Sequence, residues 1–449
     1  MNLKKAFNKT ETENGDIAYN SSLNKYIDTV FKLVELRKKP SLVSISLDKD
    51  SEYDKWFARV IRDCRYGFGE REVGRKLLGK IEEDPENVFN IGRADDIFEL
   101  GWKLVKSRKD LKGGKYWEYL INVLTDKVNS FSEIEKYNVK KWMPRERKNN
   151  LYKVKAFTKA FEINLKSYRK LISNNNTTEA ILSRGDIVED YSKVPSLAML
   201  KHFNTFIAKD NERFEKYLED VKKGKSKMNT GTMTPYDISL KYNKGNIKGE
   251  DADLIFNSLP KIDFGRIIPI VDNSYSMYDG ENSYLKARAI GHYVAKNSSY
   301  LNNHIISFSS QAKLLELSDN YEDDMKIMCS YNDVSNTDFG NVMKTLSKVT
   351  EDLPDFLLVL SDMQFDMGSS MSKDEAMKIL KTYNPNLRII WWNFNVSDTT
   401  FPETDEYGNI FLSGYNPTLL KFLEVGFDGQ QLIDNIIENY KSKMKDIIK

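Results

Sequence analysis

The 449-residue chain is long enough for two or three domains, and its 40% hydrophobic and 12% aromatic content excludes a disordered polymer. Two cysteines, Cys64 and Cys329, build neither a disulfide framework nor a zinc site, and both read as buried thiols in a reducing compartment. A net charge of +2 conceals an asymmetry: residues 261–449 carry 18 Lys+Arg against 27 Asp+Glu, residues 1–260 carry 50 against 39. Either the halves serve separate partners, a polyanion and a cation, or they attract each other.

The opening Met1-Asn2-Leu3-Lys4-Lys5 lacks the apolar stretch of a signal peptide, and no run approaches a membrane span. A soluble, cytoplasmic protein without membrane contact is expected. Residues 1–22 are polar, with a turn signal at Asn14-Gly15, and read as an N-terminal arm. Residues 23–218 have helical grammar. Tyr26, Ile27, Val30, Phe31 and Val34 follow the period of an amphipathic helix, as do Trp56, Phe57, Val60 and Ile61. Further helices are predicted over Asp95–Lys106, Trp117–Val128, Lys153–Leu171 and Leu197–Tyr217. Such a succession implies a stacked solenoid or ring. Residues 219–260, polar and basic, read as a linker or long loop.

From Lys261 to the end of the chain, residues 261–449, the pattern becomes strand–helix alternation. Strands are predicted at Arg266–Val271, His304–Phe308, Phe356–Leu360 and Leu387–Phe394, with an edge strand at Lys313–Leu317. Helices are predicted at Tyr284–Lys296, Phe339–Val349, Lys373–Tyr383 and Leu432–Ile448. Apolar runs flanked by helices imply a mainly parallel, doubly wound sheet, although Pro269 sits awkwardly in the first strand.

Three polar segments fall at the carboxyl ends of strands or in loops before helices, where ligands gather in such sheets. They are Asp272-Asn273-Ser274-Tyr275-Ser276, Asn336-Thr337-Asp338 and Ser361-Asp362. Carboxylates with hydroxyls suit a hard, oxygen-loving cation, and neutral hydroxyls leave it able to accept a partner's carboxylate or phosphate oxygen. The arrangement resembles the metal-ion-dependent adhesion site of von Willebrand factor A (VWA) domains. That resemblance implies Asp272, Ser274, Ser276, Thr337 and Asp362 as ligands of Mg²⁺, or of Mn²⁺ or Ca²⁺.

A wider resemblance covers nearly the whole chain. It rests on Thr12-Glu13-Asn14-Gly15, Arg62-Asp63-Cys64-Arg65-Tyr66-Gly67-Phe68-Gly69-Glu70-Arg71, Gly92-Arg93-Ala94-Asp95-Asp96, Lys141-Trp142-Met143-Pro144-Arg145-Glu146 and Val194-Pro195-Ser196-Leu197-Ala198-Met199. These resemble an uncharacterised family of plants, large viruses and phages that is similar to the Ro autoantigen (TROVE) proteins. The resemblance implies a multidomain chain, an all-α helical-repeat (TROVE- or HEAT-like) module followed by an α/β, doubly wound, Rossmann-like VWA domain. It also implies binding of structured RNA with single-stranded tails. Arg62, Arg65, Arg93, Lys141, Arg145 and Lys193 would then line a basic surface, with Tyr66 and Trp142 available for stacking. The same motifs also admit a structural reading, as turns, helix starts and interhelical ion pairs.

No nucleophile elbow, phosphate loop or dinucleotide fingerprint occurs, and His202, His292 and His304 have no acid partner at a telling spacing. The expected function is therefore non-catalytic: RNA binding, with a metal-dependent ligand site. The alternative is protein–protein adhesion, the metal capturing a partner's acidic residue.

Overall fold

The computed structural model describes residues 8–63, 65–93, 95–100, 115–116, 118–119, 122, 140–147, 151–160, 162–173, 177–278, 282–366, 372–394, 400–403, 408–414 and 429–448. The chain divides into two compact units: residues 1–45 with 190–436, and residues 46–189 with 437–449.

The first unit is α/β. An N-terminal hairpin pairs β1 (Lys9–Glu11) with β2 (Ile17–Tyr19). The main sheet comprises β3 (Ile267–Asp272), β4 (His304–Phe308), β5 (Ala312–Glu316), β6 (Phe356–Ser361), β7 (Arg388–Asn393) and β8 (Ile410–Ser413), in the order β5-β4-β3-β6-β7-β8. All neighbours are parallel except β5, which runs antiparallel along the edge. Every residue of β3, β6 and β8 is buried, as expected of parallel strands covered on both faces. Pro269 is accommodated because the ladder to β4 starts only at Ile270, while Pro269 itself registers against Leu358 of β6. The helix Ser283–Ala295 lies on the sheet, and Gly291 permits the close approach: a Cβ there would meet Val271 Cγ2 at 2.7 Å and Ile305 Cδ1 at 2.9 Å.

Two expected boundaries are corrected. Residues 8–45 belong to the α/β unit, not to an arm and a helical module, because the helix Lys25–Phe31 packs on β8. Its Phe31 ring lies 4.6 Å from Phe401 and 5.5 Å from Phe411, and the Val34 N–H donates to Ser413 Oγ at 2.9 Å. Residues 219–260 are not a linker. The long helix Ser196–Lys222 enters them, and the helices Pro235–Asn243 and Gly249–Asn257 follow. Thr234 and Asp237 form a reciprocal capping box with Pro235 at the first helical position, a start signal outweighed by the polar composition around it.

The second unit is helical, with Glu52–Arg62, Arg71–Lys80, Pro85–Ile91, Leu151–Ala160, Leu165–Leu171 and Thr178–Ser183. The helix expected over Lys153–Leu171 is thus two, broken near Glu162, where φ is +55°. Of the helices expected at Asp95–Lys106 and Trp117–Val128, residues 95–100 are helical, and most of the remainder lies outside the described residues. The closing helix is Gly429–Met444, and its residues from 437 onward count with this unit. There the Tyr440 hydroxyl donates to Asp63 Oδ2 at 2.9 Å, and its ring meets Trp56 edge-on at 6.0 Å.

Asp96 organises this unit's polar interior. It is fully buried and accepts from Arg62 Nη2 at 2.5 Å, Arg75 Nε at 2.6 Å and the Arg93 N–H at 2.8 Å. Gly92 makes room for that carboxylate, since a Cβ would stand 2.3 Å from Asp96 Oδ2. The charge asymmetry survives the revised boundaries: the helical unit holds 34 Lys+Arg against 26 Asp+Glu, the α/β unit 34 against 40. Cys329 is exposed, contrary to expectation, its Sγ accepting from Arg288 Nη1 at 2.9 Å; Cys64 lies outside the described residues.

One buried acid gives the α/β unit a pH dependence. Glu403 accepts from Trp391 Nε1 at 2.7 Å and from the Asn409 amide, and burial pushes it up to about 7 despite those bonds. Between about pH 4.5 and 7 the folded state therefore holds a proton that the unfolded chain has released, so stability falls as pH rises through this window. The shift corresponds to about 3 kcal/mol. Glu403→Gln should flatten the fall in melting temperature between pH 5 and 8, and calorimetry across that range checks it.

Candidate metal centre

The strand order reverses direction between β3 and β6, which makes the cleft at their carboxyl ends the topological switch point of the sheet. Asp272 ends β3, and Ser361, opposite it, ends β6, with Asp362 next in the chain. Asp272 is fully buried and Asp362 is 5% exposed. Asp272 Oδ1 accepts from the Ser274 N–H at 2.9 Å, and Oδ2 accepts from Ser361 Oγ at 2.5 Å. Ser274 Oγ lies 3.2 Å from Ser276 Oγ, and the Ser276 hydroxyl bonds to Asp362. Asp362 Oδ1 also accepts from the Gln364 N–H at 3.2 Å. The structure therefore gathers Asp272, Ser274, Ser276 and Asp362 into one hydrogen-bonded cluster.

Thr337 is buried in the adjoining loop. Its N–H donates to Asp366 Oδ2 at 2.7 Å, and no hydrogen bond among the described residues joins its hydroxyl to Asp272 or Asp362. The loop itself is held at the strand ends: Ser309 Oγ donates to Asn336 O at 2.8 Å, and Asn273 Nδ2 donates to Asp333 O at 2.6 Å. Ser361 stands in one of the three polar segments but not among the expected ligands. Its hydroxyl fixes Asp272, and its place immediately before Asp362 was the available signal.

Both carboxyls of the cluster are held above the ordinary carboxylate range. Burial pushes the Asp272 carboxyl up to about 7, and the Asp362 charge adds to the rise. Burial raises Asp362 as well, with a contribution from Glu13. Among the described residues neither carboxylate forms an ion pair with Lys or Arg. Two buried carboxylates and the hydroxyls of Ser274 and Ser276 make an all-oxygen donor set that fits a hard divalent cation. Among the described residues, three acidic, histidine or cysteine side chains nowhere gather closely enough to form an alternative cluster. Tyr275, between the two serines of the loop, is 73% exposed on the rim.

The residues expected to line a basic surface separate. Arg62 is 1% exposed and committed to Asp96, so it cannot reach a phosphate without unpacking the helical core. Arg93 pairs with Asp95 at 3.1 Å and lies 3.9 Å above the Trp142 ring, so neither is a free contact. Arg145 is half-buried and donates to the Ile172 carbonyl at 2.5 Å. Arg65 and Lys141 are exposed, and Tyr66 is 41% exposed with Lys443 Nζ 5.6 Å from its ring centre. Lys193 is exposed but belongs to the α/β unit, paired with Asp190 at 3.1 Å. Sequence reasoning missed a denser set: Lys155 and Lys159 on one helix, Lys166 and Lys170 on the next, all exposed and each pair one turn apart. Residues 140–170 hold eleven Lys+Arg against two Glu, a concentration visible by counting.

His292, which has no acid partner at a telling sequence spacing, finds one 32 residues away: Nε2 lies 2.8 Å from Asp324 Oδ2, and the ring stacks on Phe256 at 4.3 Å. Burial holds this imidazole below its usual range against the pull of Asp324. It contributes to packing of the α/β unit, away from the Asp272–Asp362 cluster in the chain and in its hydrogen bonds.

Two domains of unknown function match the chain: DUF2828 over residues 126–259 and DUF7788 over residues 267–447. An uncharacterised protein of Acanthamoeba polyphaga mimivirus, L728, is 23% identical over 96% of this chain and 88% of its own length, a large-virus relative of the kind the sequence resemblance implies. The crystal structure of the Deinococcus radiodurans Ro (RSR) protein aligns over 94% of this chain and 96% of its own, with a TM-score of 0.43 and 11% identity. A likeness at that level assigns no function. No helix among the described residues is long and apolar enough to cross a membrane.

Proposed function

We propose that this is a non-catalytic binding protein whose α/β unit takes an acidic ligand through a divalent cation, Mg²⁺ in the first instance, held by Asp272, Ser274, Ser276 and Asp362, with Thr337 near by. The observation that carries the proposal is the pair of buried carboxylates without a cationic partner at the switch point of the sheet. Hydroxyl donors do not neutralise a bound ion, so it retains affinity for a carboxylate or phosphate oxygen. Titration calorimetry of the intact chain with Mg²⁺ and Mn²⁺ is the test. Heat absent with both ions at neutral pH would end the reading.

Binding of tailed RNA, the function implied by the sequence resemblance, is favoured by a separate observation, the exposed lysines of residues 155–170 in a unit of net positive charge. Phosphate contacts release counterions, so affinity should fall steeply with salt, with a slope of about −0.7 per contact for single strands. Reversing Lys155, Lys159, Lys166 and Lys170 to Glu should weaken tailed RNA about 10-fold or more near 0.1 M salt and flatten that slope. Filter binding with the intact chain decides it. Equal affinity of wild type and variant would remove these lysines from any RNA site, and protein–protein adhesion at the cation would become the leading function.

A further inference from the structure

We infer that Glu13, carried on the turn of the N-terminal hairpin, is part of the cation site and acts on the bound ion through space. The inference rests on the cation reading above. The hairpin turn is fastened to the segment that follows Asp362: Thr12 Oγ1 donates to Phe365 O at 2.6 Å, the Glu13 N–H donates to Gln364 Oε1 at 2.9 Å, and Asn14 Nδ2 donates to Gln364 O at 2.8 Å. Gly15 pairs with Asp366 in an isolated bridge, and Asp16 Oδ2 accepts from Lys373 Nζ at 2.6 Å. Four consecutive residues, Thr12 to Gly15, are thereby anchored on Gln364–Asp366, and Asp16 on Lys373 beyond it, so the anchor is polar and specific rather than a grazing contact.

Two hydrogen bonds connect Glu13 to the site. The Glu13 N–H reaches the Gln364 side chain, and the Gln364 N–H reaches Asp362 Oδ1 at 3.2 Å. Gln364 is itself buried, so it transmits the position of the turn rigidly. The Glu13 carboxylate is exposed, and among the described residues it has no ion-pair or hydrogen-bond partner. It does not close a three-carboxylate cluster with Asp272 and Asp362, which excludes direct ligation in the present arrangement. Its backbone nevertheless stands two hydrogen bonds from Asp362 Oδ1, through Gln364, which brings its charge close to the site. A negative charge fixed near two ligand carboxylates favours a dication twice as strongly as a monovalent ion and opposes an approaching anion. Glu13 thus adds cation affinity without using a coordination position, leaving that position for the acidic ligand.

The test is calorimetric titration of Mn²⁺ into the intact wild type, Glu13→Gln, Glu13→Lys, Glu11→Gln and Asp272→Ala, each at low salt and at about 0.5 M salt. Glu13→Gln should weaken Mn²⁺ about 5-fold and Glu13→Lys about 20-fold at low salt, with both losses shrinking as salt screens the charge. Glu11→Gln, exposed on β1, should match wild type. A steric or folding role for Glu13 would produce neither the graded response to charge nor its salt dependence. Wild-type affinity in both Glu13 variants, with Asp272→Ala losing Mn²⁺, would overturn the inference and leave the cation site standing. Absent Mn²⁺ binding by wild type, or unchanged binding in Asp272→Ala, would instead bring down the cation reading itself.

Discussion

Asp272→Asn should abolish the stabilisation that Mg²⁺ confers on heating while leaving the cation-free protein at least as stable as wild type near pH 8. The two halves of this result have opposite signs and a common cause. With the ion, the Asp272 carboxylate is a ligand, and an ion that binds only the folded state contributes about 2.7 kcal/mol at a hundredfold excess over its Kd. Without the ion, the same carboxylate is a buried charge beside Asp362, pushed up to about 7 by burial and by that neighbour. Above pH 7 the folded wild type must ionise it at a cost that asparagine removes. The amide keeps an oxygen for the Ser274 N–H and presents its NH₂ towards Ser361 Oγ, which already accepts from the Met363 N–H at 3.0 Å. Thermal unfolding at pH 8 with EDTA and with excess Mg²⁺ gives the four melting temperatures needed. A variant that is destabilised in EDTA would show that Asp272 is mainly structural.

Asp96→Ala should be the most damaging single substitution in the helical unit, costing roughly 3–5 kcal/mol, since it leaves buried guanidinium groups short of a counter-charge. Both Arg62 and Arg75 donate to this carboxylate, and both are at most 5% exposed. Arg62 suffers more, because Arg75 keeps Asp95 at 2.8 Å and Glu72 at 3.0 Å. Arg62→Ala should therefore cost less than Asp96→Ala, the remaining carboxylate still being held by Arg75 and the Arg93 N–H. Removing the exposed Arg184–Asp186 pair should cost about 0–1 kcal/mol. Urea titration followed by tryptophan fluorescence supplies the ranking. The same variants separate structure from binding at the Arg62-Asp63 motif: RNA affinity per folded molecule should not change in Arg62→Ala.

The grouping of Asp272, Ser274, Ser276 and Asp362 was legible because its information is local. Asp272, Ser274 and Ser276 lie within five residues, and an apolar run before each acid marks the end of a parallel strand. Five strands of the main sheet were legible for the same reason, with β6 a continuous apolar run and β5 recognisable as an edge, whereas the four-residue β8 was not. What escaped was non-local. A lysine or arginine has the same letter whether it is solvated or buried, and Arg62 is buried because of Asp96, 34 residues later. His292 finds Asp324 across 32 residues and two helices. The strands of the N-terminal hairpin are three residues each, too short for any alternation to register. Their partners lie near the other end of the chain, so the segment looked like an arm.

That long-range closure sets a timetable for synthesis. Thr12 meets its partner Phe365 across 353 residues. At 5–20 residues per second the hairpin waits roughly 20–70 s for that partner to be made. A two-stranded hairpin is marginal alone in water, so throughout this interval its edges stay open to other chains. The residues from 46 to 189 emerge meanwhile and can begin to fold, although residues 437–449 complete their unit only at the end, while the α/β unit lacks its long second segment, residues 190–436. Nascent chains halted before residue 365 should therefore carry a protease-sensitive N-terminus beside already collapsed helices, and should depend on holding factors more than the finished protein does.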